Sequence, residues 1–203
     1  MKRFVLFILL FLFTSHSGFS KEYLVTKIID GDTIQIENGV IVRYIGVDAP
    51  ELRTKEGISE FYAKQAAHYN KKLVFLKKVR LEYDVEKEDS HGRTLAYVYV
   101  KNTFVNAELI RLGYARAIVK PPNVKYKDLF LSLQQKAMAE QKGLWQESKP
   151  DTETFYVGNK RSYVFHRPKC TKADKISEMN KIIFRSRFDA IRIGYSPCRQ
   201  CRP

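Results

Sequence analysis

From Tyr23 to about Val47 the chain alternates or runs apolar in three short stretches, residues 23–29 (YLVTKII), 33–37 (TIQIE) and 40–47 (VIVRYIGV). Asp30-Gly31 and Asn38-Gly39 separate them. A period of two broken by such pairs predicts three strands joined by hairpin turns, Asn-Gly being the stronger turn signal. Residues 50–58 are polar and break the pattern, which predicts a loop. Residues 59–72 (SEFYAKQAAHYNKK) change to helical spacing, with Phe61, Ala66 and Tyr69 on or near one face and Ser59 placed as an N-cap. Two more strands are predicted at 78–85 (KVRLEYDV) and 94–100 (TLAYVYV), joined by the polar loop 86–93. Residues 105–112 read as a short helix stopped by Gly113, and 114–119 (YARAIV) as a further strand. Residues 127–142 read as a long amphipathic helix ending at Gly143, with Trp145 available to seal the core. Five strands and about three helices, hairpin-connected in the first half, predict an α+β domain on a five-stranded barrel of the OB type. Periodicity alone leaves a sheet-and-helix sandwich open.

The ends of the chain depart from this pattern. Lys2-Arg3 precedes ten unbroken apolar residues, Phe4 to Phe13, and Gly18-Phe19-Ser20 has the small-x-small form of a signal-peptidase site. Ten apolar residues are too few to span a hydrocarbon core roughly 30 Å thick as a helix. The expectation is a signal peptide at 1–20, export to the periplasm or medium, and no stable membrane insertion afterwards; an uncleaved anchor is the alternative. Residues 147–154 (ESKPDTET) are polar and aperiodic, which suits a linker between a domain at 21–146 and a small one at 155–203.

Charge sharpens the division. The chain carries a formal +14. Residues 151–203 hold twelve Lys/Arg against five Asp/Glu, and residues 21–150 hold twenty-two against seventeen. A basic excess of this size favours a polyanionic partner, nucleic acid or an anionic surface. No protein partner is predicted, and a monomer is expected. All three cysteines, Cys170, Cys198 and Cys201, fall in the last 34 positions. An odd number does not close a disulfide framework. Three residues separate His166 from Cys170 and two separate Cys198 from Cys201, which is the ligand spacing of a four-coordinate structural Zn²⁺. A Cys198–Cys201 disulfide with Cys170 left over is the competing arrangement in an oxidising compartment.

In the larger segment Asp32 follows the first turn, and Asp48 and Glu51 follow the third strand. In a compact three-strand meander they can meet on one rim, where crowded carboxylates call for a cation and suit Ca²⁺ or Mg²⁺. Arg43 interrupts an apolar strand and needs an anion for its donors, and Arg93 follows Gly92 before the last strand. Two arginines facing a cation and a carboxylate make a phosphodiester site. Taken singly, each has an ordinary explanation: a turn residue, a cap before Pro50, a solvated charge, a core-edge ion pair.

The set DGDT … VRYIGVDAPE … HGRTLAYVYV … VNAELIRLGYA … GLW resembles the staphylococcal nuclease (thermonuclease) family over about residues 23–146. The resemblance implies an OB barrel and Ca²⁺-dependent hydrolysis of DNA and RNA to 3′-phosphate products. It also implies Asp32, Asp48 and the Ala49 carbonyl as metal ligands, Glu51 as the residue that activates water, and Arg43 and Arg93 on the phosphate. Ala49 replaces a threonine of the staphylococcal enzyme, and Ser90-His91 replaces lysine and tyrosine. No match to its paired tyrosines is found near 117–123, so His91 and Tyr126 are the candidates for nucleic-acid contact. The tail resembles the metal-binding domain of the Ada DNA-repair protein, with His166 in place of the first of four cysteines. That implies a structural zinc site aiding nucleic-acid binding and argues against methyl transfer. A non-catalytic nucleic-acid-binding OB module is the alternative function, and the retention of all five polar site residues disfavours it.

Overall fold

A computed structural model describes residues 21–53, 57–147 and 150–203; the expected signal peptide lies outside them. The first part contains β1 (Glu22–Ile28), β2 (Thr33–Ile36), β3 (Ile41–Tyr44), β4 (Val47–Asp48), α1 (Ala63–Val74), β5 (Lys78–Glu82), β6 (Thr94–Val100), β7 (Thr103–Phe104), α2 (Val105–Arg111), β8 (Arg116–Ala117) and α3 (Lys127–Ala139). The second contains β9 (Tyr156–Asn159), β10 (Val164–His166), α4 (Thr171–Asp174), β11 (Lys181–Phe184), α5 (Arg187–Arg192) and β12 (Ser196–Pro197).

Strands β3, β2, β1, β5 and β6 hydrogen-bond in that order, and β3 pairs with β6 to close a five-stranded barrel. The closing pair is parallel, with Val42 opposite Thr94 and Arg43 opposite Leu95. Alternate side chains point inward, and Val25, Ile34, Val42, Val79, Ala96 and Val98 are fully buried. Each large aliphatic among them contributes about 1.5–3 kcal/mol relative to exposure. The barrel predicted from the period-two runs is the fold observed, and α1, α2 and α3 are the three predicted helices. A four-stranded sheet, β11-β9-β10-β12, forms the small α/β module.

The stretch read as one strand at 40–47 is split into β3 and β4, the strand read at 78–85 ends at Glu82, and two further elements differ in a way that bears on the site. Helix α1 begins at Ala63 rather than near Ser59, and its N-cap is Tyr62, at φ 68°. Residues 59–62 are taken up elsewhere: the Glu60 amide donates to the Glu51 carbonyl at 3.0 Å, and the Ser59 hydroxyl is buried without a partner. The strand expected at 114–119 shrinks to Arg116–Ala117, because its partner β4 has only two residues before Ala49-Pro50.

One buried carboxamide from each of α1, α2 and α3 ties it to backbone or side chains of another element. Asn70 of α1 donates to the Asp30 carbonyl and accepts from the Tyr44 hydroxyl, at 3.0 and 2.9 Å. Asn106 of α2 donates to the Ile45 carbonyl and accepts from the Val98 amide, both at 2.9 Å. Gln134 of α3 accepts from the Ala117 amide at 2.8 Å and donates to the Ile191 carbonyl at 2.7 Å. All three side chains are fully buried, so losing either partner leaves a costly orphan.

Candidate functional site

The first turn is built for close approach. Asp30 accepts the Asp32 amide on its own carboxylate at 3.0 Å, which closes the turn locally. Gly31 is needed for space: a Cβ there would lie 2.6 Å from the Ala49 Cβ and 3.0 Å from that of Ala66. The turn is thereby pressed against the loop after β4 on one side and α1 on the other, and Asp32 comes to rest beside Ala49.

Asp32 is almost completely buried. Its Oδ1 accepts from the Thr33 hydroxyl at 3.0 Å and its Oδ2 from the Ala49 amide at 2.6 Å. Arg43 completes the shell, with Nη1 2.5 Å from Asp32 Oδ2 and 2.8 Å from the Val47 carbonyl, and Nη2 3.2 Å from Asp48 Oδ1. One guanidinium thus bridges the two carboxylates. Burial pushes the Asp32 carboxyl well above the usual carboxylate range, with Asp30 and Asp48 adding to the rise and Arg43 opposing it. For Arg43 burial works toward deprotonation, but Asp32, Asp48 and Asp30 outweigh it and hold the guanidinium charged.

Glu51 stands apart from this pair and is exposed. Its amide donates to Glu60 Oε2 at 3.0 Å. Although the residue as a whole is exposed, its carboxyl is partly shielded by neighbouring groups, and this partial desolvation, then repulsion from Asp30 and Asp48, raises it from the ordinary value. Arg93 immediately precedes β6, the strand that pairs with the strand of Arg43. It is held by Asp89: Nε donates to Oδ2 at 2.8 Å, and Nη2 lies 2.7 Å from the same oxygen. Asp89 also accepts the backbone amides of His91 and Arg93, at 2.9 and 3.1 Å. Burial alone would raise the Asp89 carboxyl, but these donors bring it down to about 2.

The carboxylates fit a hard cation. All donors are oxygen, Asp32 is ionised only at a cost, and the charge of Arg43 already sits between Asp32 and Asp48 where a divalent ion's charge would serve. Asp32, Asp48 and Glu51 are nevertheless not drawn into one tight trio. Among the described residues the only group of three or more His, Cys, Asp or Glu gathered around one point is His166, Cys170, Cys198 and Cys201.

That second group is compact. Its ligand atoms all lie within 4.8 Å of one another, and Cys170 Sγ is 3.6 Å from His166 Nδ1. A tetrahedral shell with bonds of about 2.3 Å has edges of roughly 3.8 Å, so the set fits zinc. All three cysteines are free, so the Cys198–Cys201 disulfide is not formed. Burial and then Lys172 lower the His166 imidazole, which favours its neutral, ligating form. Burial and the neighbouring Cys170 and Cys198 sulfurs push the Cys201 thiol up to about 12. Such crowding is relieved by a bound cation. Arg167 braces the group, donating from its amide to Cys201 Sγ at 3.3 Å and from Nε to the Cys201 carbonyl at 2.8 Å.

The two nucleic-acid candidates are placed differently. His91 is exposed in the Arg93 loop. Tyr126 packs in an aromatic cluster with Tyr97, Phe104 and Phe130, and its hydroxyl donates to Glu82 at 2.9 Å. None of those contacts is with an arginine or carboxylate of the site. Residues 150–153, within the expected linker, are held by the module: Arg167 reaches Thr152 and Glu153, and the Arg187 amide donates to Asp151. Sequence reasoning missed Asp89 and the three carboxamides. Asp89-Ser-His-Gly has the spacing of a side-chain-closed turn and could have been found; nothing local marks Asn70, Asn106 or Gln134.

The protein is of the closed OB-type barrel class, with Asp32 and Asp48 sharing the Arg43 guanidinium. The chain belongs to the staphylococcal nuclease homologue family, whose model matches residues 41–147. The metal-binding domain of Ada matches residues 142–203. The thermonuclease of Staphylococcus intermedius is 42% identical over 129 residues, covering 62% of this chain and 77% of that protein. Endonuclease YncB of Bacillus subtilis is 39% identical over 66% of this chain and 68% of its own length. Endonuclease YhcR of the same organism is 31% identical over 90% of this chain, but this corresponds to 17% of that protein. These relatives support a nuclease function.

Proposed function

We propose that the protein is an exported, Ca²⁺-dependent nuclease that hydrolyses the phosphodiester bonds of DNA and RNA and leaves 3′-phosphate ends, with a structural zinc module that adds nucleic-acid contact. The observation that carries the reading is the Asp32–Arg43–Asp48 bridge beside Ala49, buried at Asp32 and half-buried at Asp48. Asp32, Asp48 and the Ala49 carbonyl would hold the ion, which supplies positive charge against the phosphate and an orienting point for water. Glu51, raised toward the useful range for a base, takes a proton from that water as its oxygen attacks phosphorus. Arg43 and Arg93 donate to the non-bridging oxygens, where charge builds in the transition state. The bond from phosphorus to the 5′ oxygen breaks, that oxygen takes a proton from solvent, and the phosphate stays on the 3′ side. Binding to the basic module is carried by phosphate contacts and weakens with salt.

Export rests on residues 1–20. Among the described residues no helix is long and apolar enough to cross a membrane.

Digestion of plasmid DNA and of RNA with Ca²⁺ against EGTA tests the activity. Cleavage that requires Ca²⁺ and is strongly reduced in Arg43→Ala and Glu51→Gln is expected. Cleavage insensitive to EGTA, or undiminished in those variants, overturns the reading. N-terminal sequencing of the mature protein, expected to start near Lys21, tests export.

A further inference from the structure

The C-terminal module is not hung on a free tether. It touches the barrel at Gly194, whose carbonyl accepts the Val119 amide at 3.1 Å. Gly194 has φ +86°, and a Cβ there would fall 2.6 Å from Val119 Cγ2 and 3.0 Å from Leu131 Cδ2, so module backbone lies flush against the barrel. A second contact is Gln134, buried in α3, which holds the Ala117 amide with one end and the Ile191 carbonyl with the other. Gln135 adds a longer bond to the Arg192 carbonyl at 3.4 Å.

Both contacts converge on β8. Its two residues pair with β4, Ala117 opposite Val47 and Arg116 opposite Asp48. The Ile118 amide donates to the Gly46 carbonyl at 3.0 Å, and the Val47 carbonyl is the acceptor for Arg43. A two-residue pair has few bonds of its own to fix it, so what braces β8 also fixes Asp48 and the Ala49 amide that faces Asp32. On the module side, Gly194 is four residues from Cys198, whose amide donates to Phe165 beside His166.

We infer that Gln134 and Gly194 are positioning residues for the nuclease site: the C-terminal module acts as a brace that sets β8, and through it the placement of Asp48 and Ala49. The inference rests on the reading of Asp48 as a Ca²⁺ ligand, but it has a signature independent of cleavage. The full chain is compared with Gln134→Met, which keeps the volume and loses both bonds, and with Gly194→Val, which leaves the Gln134 side chain in place and disturbs the module's seat, including the Ile191 carbonyl that the Gly194 amide shares with Gln134. Amide exchange, calorimetric Ca²⁺ titration, cleavage and zinc content are measured on each.

Gly194→Val is expected to retain zinc yet exchange its Ala49 and Ile118 amides faster. Both variants are expected to need about fivefold more Ca²⁺ for half-saturation, the equivalent of one lost hydrogen bond, with the rate at saturating Ca²⁺ little changed. The double variant is expected to be no worse than the poorer single one, because the two act through one strand. Unchanged Ala49 and Ile118 exchange in zinc-loaded Gly194→Val overturns the inference. So does a loss of thermal stability in both variants with wild-type Ca²⁺ affinity, since that is a merely structural role. A wild type that binds Ca²⁺ without cleaving overturns the proposed function and leaves this inference to the exchange and titration results.

Discussion

Arg43 Nη1 sits 2.5 Å from Asp32 Oδ2, both side chains largely out of solvent, and the same guanidinium reaches Asp48. The pair is the pivot of the site because each partner is costly to leave alone. Arg43→Ala is expected to lower stability by about 3–5 kcal/mol, the usual cost of stranding a buried charge. It is also expected to lower turnover about 10²–10³-fold. Asp32→Asn on the Arg43→Ala background should restore much of the stability and none of the activity. Urea denaturation and cleavage of the two variants beside wild type check this; an Arg43→Ala protein of wild-type stability contradicts it.

Protons and Ca²⁺ compete for Asp32. Its folded pKa lies above the unfolded value of about 3.9, so its contribution to stability is fully present below that value and is lost as pH rises through the folded pKa. Without Ca²⁺, wild type should therefore lose stability relative to Asp32→Asn as pH rises from about 4. With Ca²⁺, the concentration for half-activity should rise as pH falls through the same range. Denaturation and Ca²⁺ titrations across pH measure both.

Asp89 works in the opposite sense. With a folded pKa of about 2, its contribution is present above the unfolded value of about 3.9 and is lost as pH falls through about 2. Asp89→Asn keeps the size and removes the charge that orients Arg93. Turnover is expected to fall by about ten- to a hundredfold, consistent with an effect of about 1.4–2.7 kcal/mol, while Ca²⁺ affinity stays near wild type. A variant that loses Ca²⁺ affinity instead would contradict this placement.

The C-terminal cluster should carry close to one zinc per chain, with no reactive thiol until the metal is stripped. A chelator strong enough to remove it is expected to lower the melting temperature of the module, because about fifty residues bury little apolar surface of their own. Metal analysis with thiol titration before and after stripping decides it; zinc-free protein with only one titratable thiol contradicts it.

Much of the fold was legible because the barrel depends on period-two runs and on turns such as Asn38-Gly39, whose residues both adopt positive φ. The site was legible where its residues interrupt that pattern, as Arg43 does in an apolar strand. The rest depends on packing. Gly31 reads as turn chemistry, yet its φ is not in the left-handed region and its role is to admit Ala49 and Ala66. Ser59 reads as a cap, but the Glu51–Glu60 bonds take its segment first. Gln134 is one polar residue among several on an amphipathic helix until Ala117 and Ile191 are brought to its two ends, partners 17 and 57 positions away.

The parallel seam between β3 and β6 bears on the chain before it is folded. Val42 and Thr94 are about fifty positions apart, and such distant pairs are slow to form. Arg43 lies on one strand of that seam and Arg93 immediately precedes the other. The contact that turns an open sheet into a barrel is therefore also the one that carries these two distant arginines to neighbouring strands.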